Sequence, residues 1–319
     1  MSQNTGLPRI LVTGAAGFLG SRVVRQLTAM GCQVIALVRP RGNRERLADI
    51  GDTLCIVEGD FHRPAEWANA LTDLRPPVLL HLAWHTEPGK YRGHTGNLAD
   101  LTASLTLVQR APTWGCIRIV GVGTCLEYDT RPGYLSEEVP LAPRCVYESS
   151  KAALYLAASA WARGSGVSFA WARLFYQFGP GEDVRRLVPS VVTALLAGRP
   201  VALTSGVQVR DYLHVDDVAA AIAQLALVKG VGPFNVGSGR PVSVRDLVRL
   251  VENEAGRTGL VHFGELPDPV DDPPFICATT ARVRAATGWE PTRSLEAGIA
   301  ETVGWWAKRG ANSSNEALE

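Results

Sequence analysis

Residues 10–27 read ILVTGAAGFLGSRVVRQL, and this stretch decides the fold. It opens as an apolar run, passes through Gly14, Gly17 and Gly20, and continues with apolar residues at helical spacing. Glycines at such a strand-to-helix turn allow a tight bend, close approach of the backbone to a diphosphate, and close helix packing. The start of the helix adds unpaired N–H groups and the positive end of its dipole. The spacing, G-x-x-G-x-x-G, is one residue longer than the commoner fingerprint; its place at the first strand-to-helix turn gives it weight. Gly14, Gly17, Phe18, Leu19 and Gly20 are therefore the candidate contacts for a dinucleotide.

Further apolar runs follow: QVIALV (33–38), LCIV (54–57), VLLHLA (78–83), IRIVGVG (117–123) and VSFAWARL (167–174), alternating with helical patterns. Nearly continuous apolar strands separated by helices predict an α/β fold, a doubly wound parallel Rossmann sheet covered on both faces. After Arg173 the texture turns to LFYQFGPGEDVRRLVP, rich in turn residues. Residues 1–173 are accordingly assigned to an NAD(P)-binding domain, and 174–319 mainly to a smaller α/β substrate-binding region, with 211–236 returning to the first domain. Within the second region a helix is expected from about Pro189 to Ala197. Asp216 is expected to cap a helix running to about Val228, Ser243 with Asp246 to start another, and Ser294 to cap a last helix through Trp306. The tail RGANSSNEALE reads as polar and frayed.

The length of 319 residues, with 46% hydrophobic and 20% charged side chains, suits one large or two closely joined domains. A formal net charge of +1 provides no global field for nucleic acid or a membrane surface, so the expected partners are small molecules. No apolar run approaches the ~20 residues of a membrane span, and MSQNTGLPRI lacks the basic-then-apolar order of a signal peptide, which predicts a cytoplasmic protein. The six cysteines show no metal-ligand spacing, and most sit in apolar stretches, as reduced thiols without disulfides would. His81 and His85 are not on one face in a strand-to-loop setting and have no evident third ligand, so no metal is expected.

The end of the second strand discriminates between the nicotinamide cofactors, because a carboxylate there holds ribose hydroxyls and an arginine pairs with a 2′-phosphate. Here it runs into LVRPRGNRERL, without a carboxylate and with Arg39, Arg41 and Arg44. This favours NADP(H) over NAD(H), against the alternative of a solvated basic loop. Asp60 and Phe61, after the third strand, are placed to border the adenine, although GD is also a common turn; Leu82 and Ala83, after the fourth, are placed beside the nicotinamide.

VYESSK, residues 146–151, puts Tyr147 and Lys151 at i and i+4 of a predicted helix, where both functional groups reach one small volume. A cation close to a phenol favours the phenolate, so Lys151 is expected to lower the Tyr147 pKa. Taken alone, such a pair is more often a packed aromatic beside a solvated lysine.

The glycine turn, GTCLEYD (123–129), Tyr147 with Lys151, RLFYQFGPGE (173–182), RDYLHVDDVAAAI (210–222) and FNVGSG (234–239) together resemble the extended short-chain dehydrogenase/reductases. The likeness spans about residues 9–307 and is strongest to the NAD(P)-dependent nucleotide-sugar epimerases, dehydratases and reductases. It implies that Tyr147 donates or accepts the proton, that Lys151 lowers its pKa and holds the nicotinamide ribose, and that Thr124 bonds the reacting sugar oxygen. It also implies that Asn97 supports the lysine through water, with a plain helix N-cap as the alternative. Arg210 matches the family's diphosphate-binding arginine, with an ion pair to Asp211 as the alternative, and Arg186 lies where the second domain reaches the nucleotide. Tyr176 replaces the asparagine that commonly touches the diphosphate, while His85, Glu87 and Tyr91 are placed to line the sugar pocket. Family dehydratases follow the active-site threonine with an Asp-Glu pair; here Cys125 and Leu126 stand there, and Glu127 falls one position late. With the arginines after the second strand, the expected activity is NADPH-dependent reduction of a keto group, at C4 of a nucleotide-linked deoxysugar. The alternatives are a C4 epimerase without net redox change, a 4,6-dehydratase, a reductase of a non-sugar carbonyl, or a non-catalytic dinucleotide sensor. A homodimer through helices spanning roughly 97–110 and 147–163 is a further implication of the resemblance.

Overall fold

The computed structural model describes residues 8–51 and 54–316. Its centre is a seven-stranded, wholly parallel sheet: β1 (Arg9–Thr13), β2 (Gln33–Val38), β3 (Leu54–Glu58), β4 (Val78–His81), β5 (Arg118–Thr124), then β7 (Ser168–Leu174) and β11 (Gly232–Val236). The strand order is β11-β7-β5-β4-β1-β2-β3. The chain therefore reverses its direction of travel between β1 and β4, the switch point at which open α/β sheets bind ligands beyond the carboxyl ends of their strands.

Helices cover both faces of this sheet, as the two-sided apolar character of its strands requires. One face packs with α1 (Phe18–Ala29), whose Val23, Val24 and Leu27 are fully buried. Alongside lie α7 (Val215–Leu227) and α9 (Ala281–Thr287). The other face carries α4 (Gly96–Arg110) and α5 (Val146–Ser165), with the short α2 (Pro64–Trp67) and α3 (Ala70–Leu74) at its edge. Although α7 and β11 follow the change in texture after Arg173, they share the core of the first half.

The remaining elements form a second unit with its own core: α6 (Leu187–Leu196), α8 (Val244–Glu254) and α10 (Leu295–Glu316). Two small sheets join it to the first, β8 (Tyr176–Phe178) with β10 (Val209–His214) and β12 (Pro241–Ser243), and β6 (Tyr134–Leu135) with β14 (Cys277–Ala278), while β9 (Val201–Leu203) with β13 (Val261–Phe263) packs on the second unit's own core.

Two helix boundaries depart from the sequence reading. Helix α7 is capped by His214, whose ring nitrogen accepts from the Asp216 N–H at 3.3 Å, so Asp216 lies inside the first turn. Ser294 does accept from Ala297 N–H at 3.1 Å, but α10 runs through Trp306 to Glu316, because no proline follows and Gly310 keeps a negative φ. Ser243 caps α8 through Asp246 N–H, as its spacing predicts. All six cysteines are free, four of them buried, while Cys55 is exposed. Among the described residues no helix is long and apolar enough to cross a membrane.

Candidate active site

Thr124 closes β5, and Tyr147 and Lys151 occupy the first turns of α5; these three form the floor of the site. The start of α5 is stitched to the loop after β4. Tyr147 N–H donates to the Arg92 carbonyl at 3.1 Å, and the buried Glu148 carboxylate accepts from Arg92 Nη2 at 2.7 Å and from Arg144 N–H at 2.6 Å. The Tyr147 ring meets Tyr91 edge-on, with centroids 4.8 Å apart. Lys151 Nζ donates to the Val122 carbonyl at 2.8 Å and lies 3.8 Å from the centroid of a Trp84 ring.

The electrostatics of the floor correct one expectation. Lys151 does not draw the Tyr147 hydroxyl down: burial pushes it above its ordinary value, Tyr91, Glu127 and Cys125 push the same way, and Arg186 opposes them. Desolvating a phenolate outweighs the nearby cation, so Tyr147 holds its proton and is poised as an acid. Burial also pulls the Lys151 ammonium down to about 7, against the charges of Glu127 and Asp100.

Asn97 is neither an N-cap nor a free donor. Thr95 precedes the helix, and the buried Asn97 donates to the carbonyls of Tyr91 at 2.6 Å and His94 at 2.7 Å, while accepting from Trp84 Nε1 at 2.8 Å. Trp84, which the sequence reading passed over between Ala83 and His85, thereby becomes part of the floor. An aromatic residue in the loop just after β4 was the available signal.

Above the floor, the glycine turn fits a dinucleotide diphosphate. Gly14 has φ +69°, and a Cβ on it would lie 2.9 Å from Ala83 N; one on Gly20 would lie 2.0 Å from the Gly14 carbonyl oxygen. The first excludes a side chain where the turn meets the end of β4, and the second sets the close packing of α1. Gly17 begins α1 without a side-chain cap, and Phe18 and Leu19 open the helix, leaving its first amides for a ligand. Leu82 and Ala83 are fixed from below: Thr13 Oγ1 accepts from Ala83 N–H at 3.2 Å and bonds His81 Nδ1 at 2.8 Å, whose Nε2 meets Ser104 Oγ at 2.8 Å. Burial pulls His81 down to about 3, so it is a neutral strut.

Arg39 and Arg41 are exposed just after β2, Arg41 with φ +56°. Arg44 departs from the expected cluster because it is ion-paired with Glu58, which the β2–β3 register sets opposite Val38. Asp60 accepts from His62 N–H at 3.0 Å beside the buried Phe61, and His62 Nε2 lies 2.8 Å from Asp100.

The mouth of the site is built by the second unit. Arg210 on β10 is 3% exposed, and its partner is Asp272 at 2.6 Å; Asp211 instead accepts from the N–H groups of Ser238, Gly239 and Ala278. The Arg210 guanidinium lies 5.5 Å from the ring of Tyr176, which packs against Tyr212. Arg186 reaches the Thr86 carbonyl at 3.3 Å and stacks on Tyr91 at 5.1 Å, while Arg185 bonds Glu87 at 3.0 Å. These contacts join the loop after β4 to the second unit. His85 is exposed and stacked on His94, pointing to a rim position. Glu182, also unforeseen, is partly buried with an unpartnered Oε2; burial pushes its carboxyl up to about 8, Arg186 opposing.

Residues 10–237, most of the chain, match the model of the NAD dependent epimerase/dehydratase family. The chain belongs to that family. It is 27% identical to a dTDP-glucose 4,6-dehydratase of Neisseria gonorrhoeae over 95% of this chain and 97% of the relative. A UDP-glucose 4-epimerase of Thermotoga maritima, solved with UDP-glucose, superposes with TM-score 0.82 at 25% identity, covering 94% of this chain and 99% of that one. A UDP-glucose 4-epimerase of Thermus thermophilus, solved with NAD, gives 0.81 at 27% identity, covering 95% and 99%. The protein is thus an enzyme of the NAD-dependent epimerase/dehydratase family, with a fold shared with those relatives.

The residues that follow Thr124 limit the chemistry of the site. Cys125 and Leu126 follow Thr124, and burial pushes the Cys125 thiol up, so neither is an acid or base at neutral pH. Glu127 is fully buried and taken: its carboxylate accepts from Arg173 Nε at 2.8 Å, from Trp171 Nε1 at 3.1 Å, and from Thr124 N–H at 2.9 Å. Among the described residues one group, His214, Asp216 and Glu301, has the composition of a metal site, but Arg293 already lies 3.3 Å from each carboxylate and Arg22 3.3 Å from Asp216.

Proposed function

We propose that this protein is a nucleotide-sugar C4 epimerase that passes its substrate through a keto sugar. The observation that carries the reading is the shared backbone at residues 82–84: Ala83 closes against the glycine turn, and Trp84 against Lys151. A dinucleotide seated on Gly14, Gly17 and Gly20 would therefore lie beside the floor. When bound, it would supply the hydride acceptor and donor. Thr124 and Tyr147 hold the oxygen of the reacting carbinol; with a cofactor bound, Tyr147 would first release its own proton to solvent beside the Lys151 ammonium, then take up the carbinol's proton and return it, while Lys151 anchors the ribose. Arg210, with Arg186 from the second unit, takes the diphosphate.

Elimination of water needs an added acid and base beside Thr124, and Cys125, Leu126 and the ion-paired Glu127 provide neither, which argues against the dehydratase activity named for one of the relatives. Both named epimerases fit the remaining chemistry, which shifts the reading from the net reduction expected from the sequence towards epimerisation. One observation favours the reductase as a second reading: the end of β2 carries exposed Arg39 and Arg41 and no carboxylate, a setting for NADPH. The exposed Leu98 on α4 and Leu156 on α5, each 57% accessible, support the proposal of a homodimer through these helices.

Incubation with UDP- and dTDP-hexoses and their 4-keto forms, with either cofactor, tests the reading. Epimerisation without net change in nicotinamide absorbance is expected. NADPH consumption matched to keto sugar, falling severalfold in preference over NADH in Arg39→Ala, would establish the reductase instead, and no turnover with any sugar nucleotide would overturn both.

A further inference from the structure

Lys151 is 4% exposed, and among the described residues no carboxylate lies within ion-pairing distance of it. A buried ammonium without a counter-ion is an expensive state, and burial brings this one down to about 7 against the more distant charges of Glu127 and Asp100. Its surroundings are nevertheless specific. One N–H meets the Val122 carbonyl at 2.8 Å, and the face of Trp84, with a centroid 3.8 Å away, covers another side. An ammonium has three donors, so one remains for a ligand.

The indole is itself held. Its Nε1–H is a donor only, so the Asn97 atom facing it at 2.8 Å is the amide oxygen. The Asn97 amide nitrogen then donates to the carbonyls of Tyr91 and His94, leaving the amide no freedom to turn over. Tyr91 in turn packs on Tyr147. A single asparagine thus holds the indole under the lysine and ties the backbone of Tyr91, whose ring packs on Tyr147.

We propose that Trp84 is a positioning residue: its indole face, fixed by Asn97, seats Lys151 as an ammonium aimed at the cofactor cleft. A π-face favours the cation without cancelling its charge, whereas a carboxylate there would form an ion pair and spend the field that Tyr147 and the ribose require. This rests on the reading of Lys151 as the cofactor-binding member of the catalytic pair.

The chain has four lysines, at 90, 151, 229 and 308, so NMR of full-length protein carrying ¹³Cε-lysine resolves each titration, with Lys151→Met for assignment. Trp84→Leu keeps an apolar side chain but no π-face and is expected to lower the Lys151 midpoint by about one pH unit. Trp84→Phe, which keeps a smaller π-face, is expected to lower it by less, and the other three lysines stay put. Asn97→Ala, which unhitches the indole, is expected to fall between wild type and Trp84→Leu, and serves if the leucine variant does not fold. An unchanged midpoint in both Trp84→Leu and Asn97→Ala, or an equal fall in the phenylalanine and leucine variants, overturns the seat. NADH affinity measured on the same samples separates the two readings: it is expected to weaken severalfold in step with the midpoint, and a midpoint that falls with no change in affinity leaves the seat standing but overturns Lys151 as a cofactor ligand.

Discussion

Lys151 at the floor and Arg210 at the mouth are buried to the same degree, 4% and 3% exposed, yet they are kept in opposite ways. The lysine faces a carbonyl and an indole, and its charge is unspent. The arginine is already ion-paired with Asp272 at 2.6 Å, and the neighbouring Arg185 with Glu87 at 3.0 Å. The difference teaches that the floor is preorganised to receive a ligand by addition, whereas the mouth could receive one only by exchange: on the proposed reading, an incoming diphosphate would displace the Asp272 carboxylate from the Arg210 guanidinium. Preorganisation suits chemistry, in which the field must be in place before reaction. Exchange suits recognition, because it penalises any ligand that offers Arg210 less than Asp272 does.

The largest effect should come at the floor. Tyr147→Phe removes the proton carrier and leaves the ring that packs on Tyr91, so turnover of the sugar nucleotide should fall about 10³-fold while NADH affinity stays within about twofold. Steady-state kinetics beside fluorescence titration of the cofactor would check it, and a large loss of cofactor affinity would mean that the two ends of the floor are not separable. At the mouth, Asp272→Asn should act more weakly and with a mixed signature. It leaves the buried Arg210 without its counter-ion, so the ligand-free protein should melt earlier. It also removes the competitor, so UDP should bind about fivefold tighter, roughly 1 kcal/mol, and should raise the melting temperature more than in wild type. Unchanged UDP affinity by calorimetry would show that the mouth does not work by exchange.

The floor was far more legible in the sequence than the mouth, for a physical reason. Tyr147 and Lys151 are one helical turn apart, and the glycine turn is bounded by a strand and a helix with plain periodicity, so local spacing carries the geometry. Ion pairs across the fold have no such spacing: Asp272 reaches Arg210 from a loop far along the chain, and Glu58 captures Arg44 only because of the β2–β3 register. Arg210, which the resemblance makes a diphosphate ligand, lies buried on β10 and pairs with Asp272, whereas Asp211, the alternative partner, serves the backbone of Ser238 and Gly239. The direction of the Tyr147 shift was misread for a related reason. Spacing reveals which charge is near, whereas the dominant effect is burial, which depends on the packing of Tyr91 and its loop.

The smallest effect separates the two regions by pH. Lys151 has its folded value pulled from 10.5 to about 7, so between these values the unfolded chain binds the extra proton and stability rises with pH. Its contribution is complete above pH 10.5 and is lost as pH falls through 7. Glu182 at the mouth is pushed the other way, from 4.5 to about 8, so between these values the folded state holds the extra proton. Its contribution is complete below pH 4.5 and is lost as pH rises through 8. Lys151→Met should therefore flatten the rise on the alkaline side, gaining on wild type most at pH 7 and below. Glu182→Gln should flatten the fall on the way to pH 8, gaining on wild type most above that point, each by a few degrees in melting temperature for a chain of this size. Melting curves from pH 5 to 10 on the cofactor-free protein would resolve the pair. Should both variants gain in the same pH range, the opposition between an unspent cation at the floor and an uncompensated acid at the mouth fails, because burial would then not be what sets both groups.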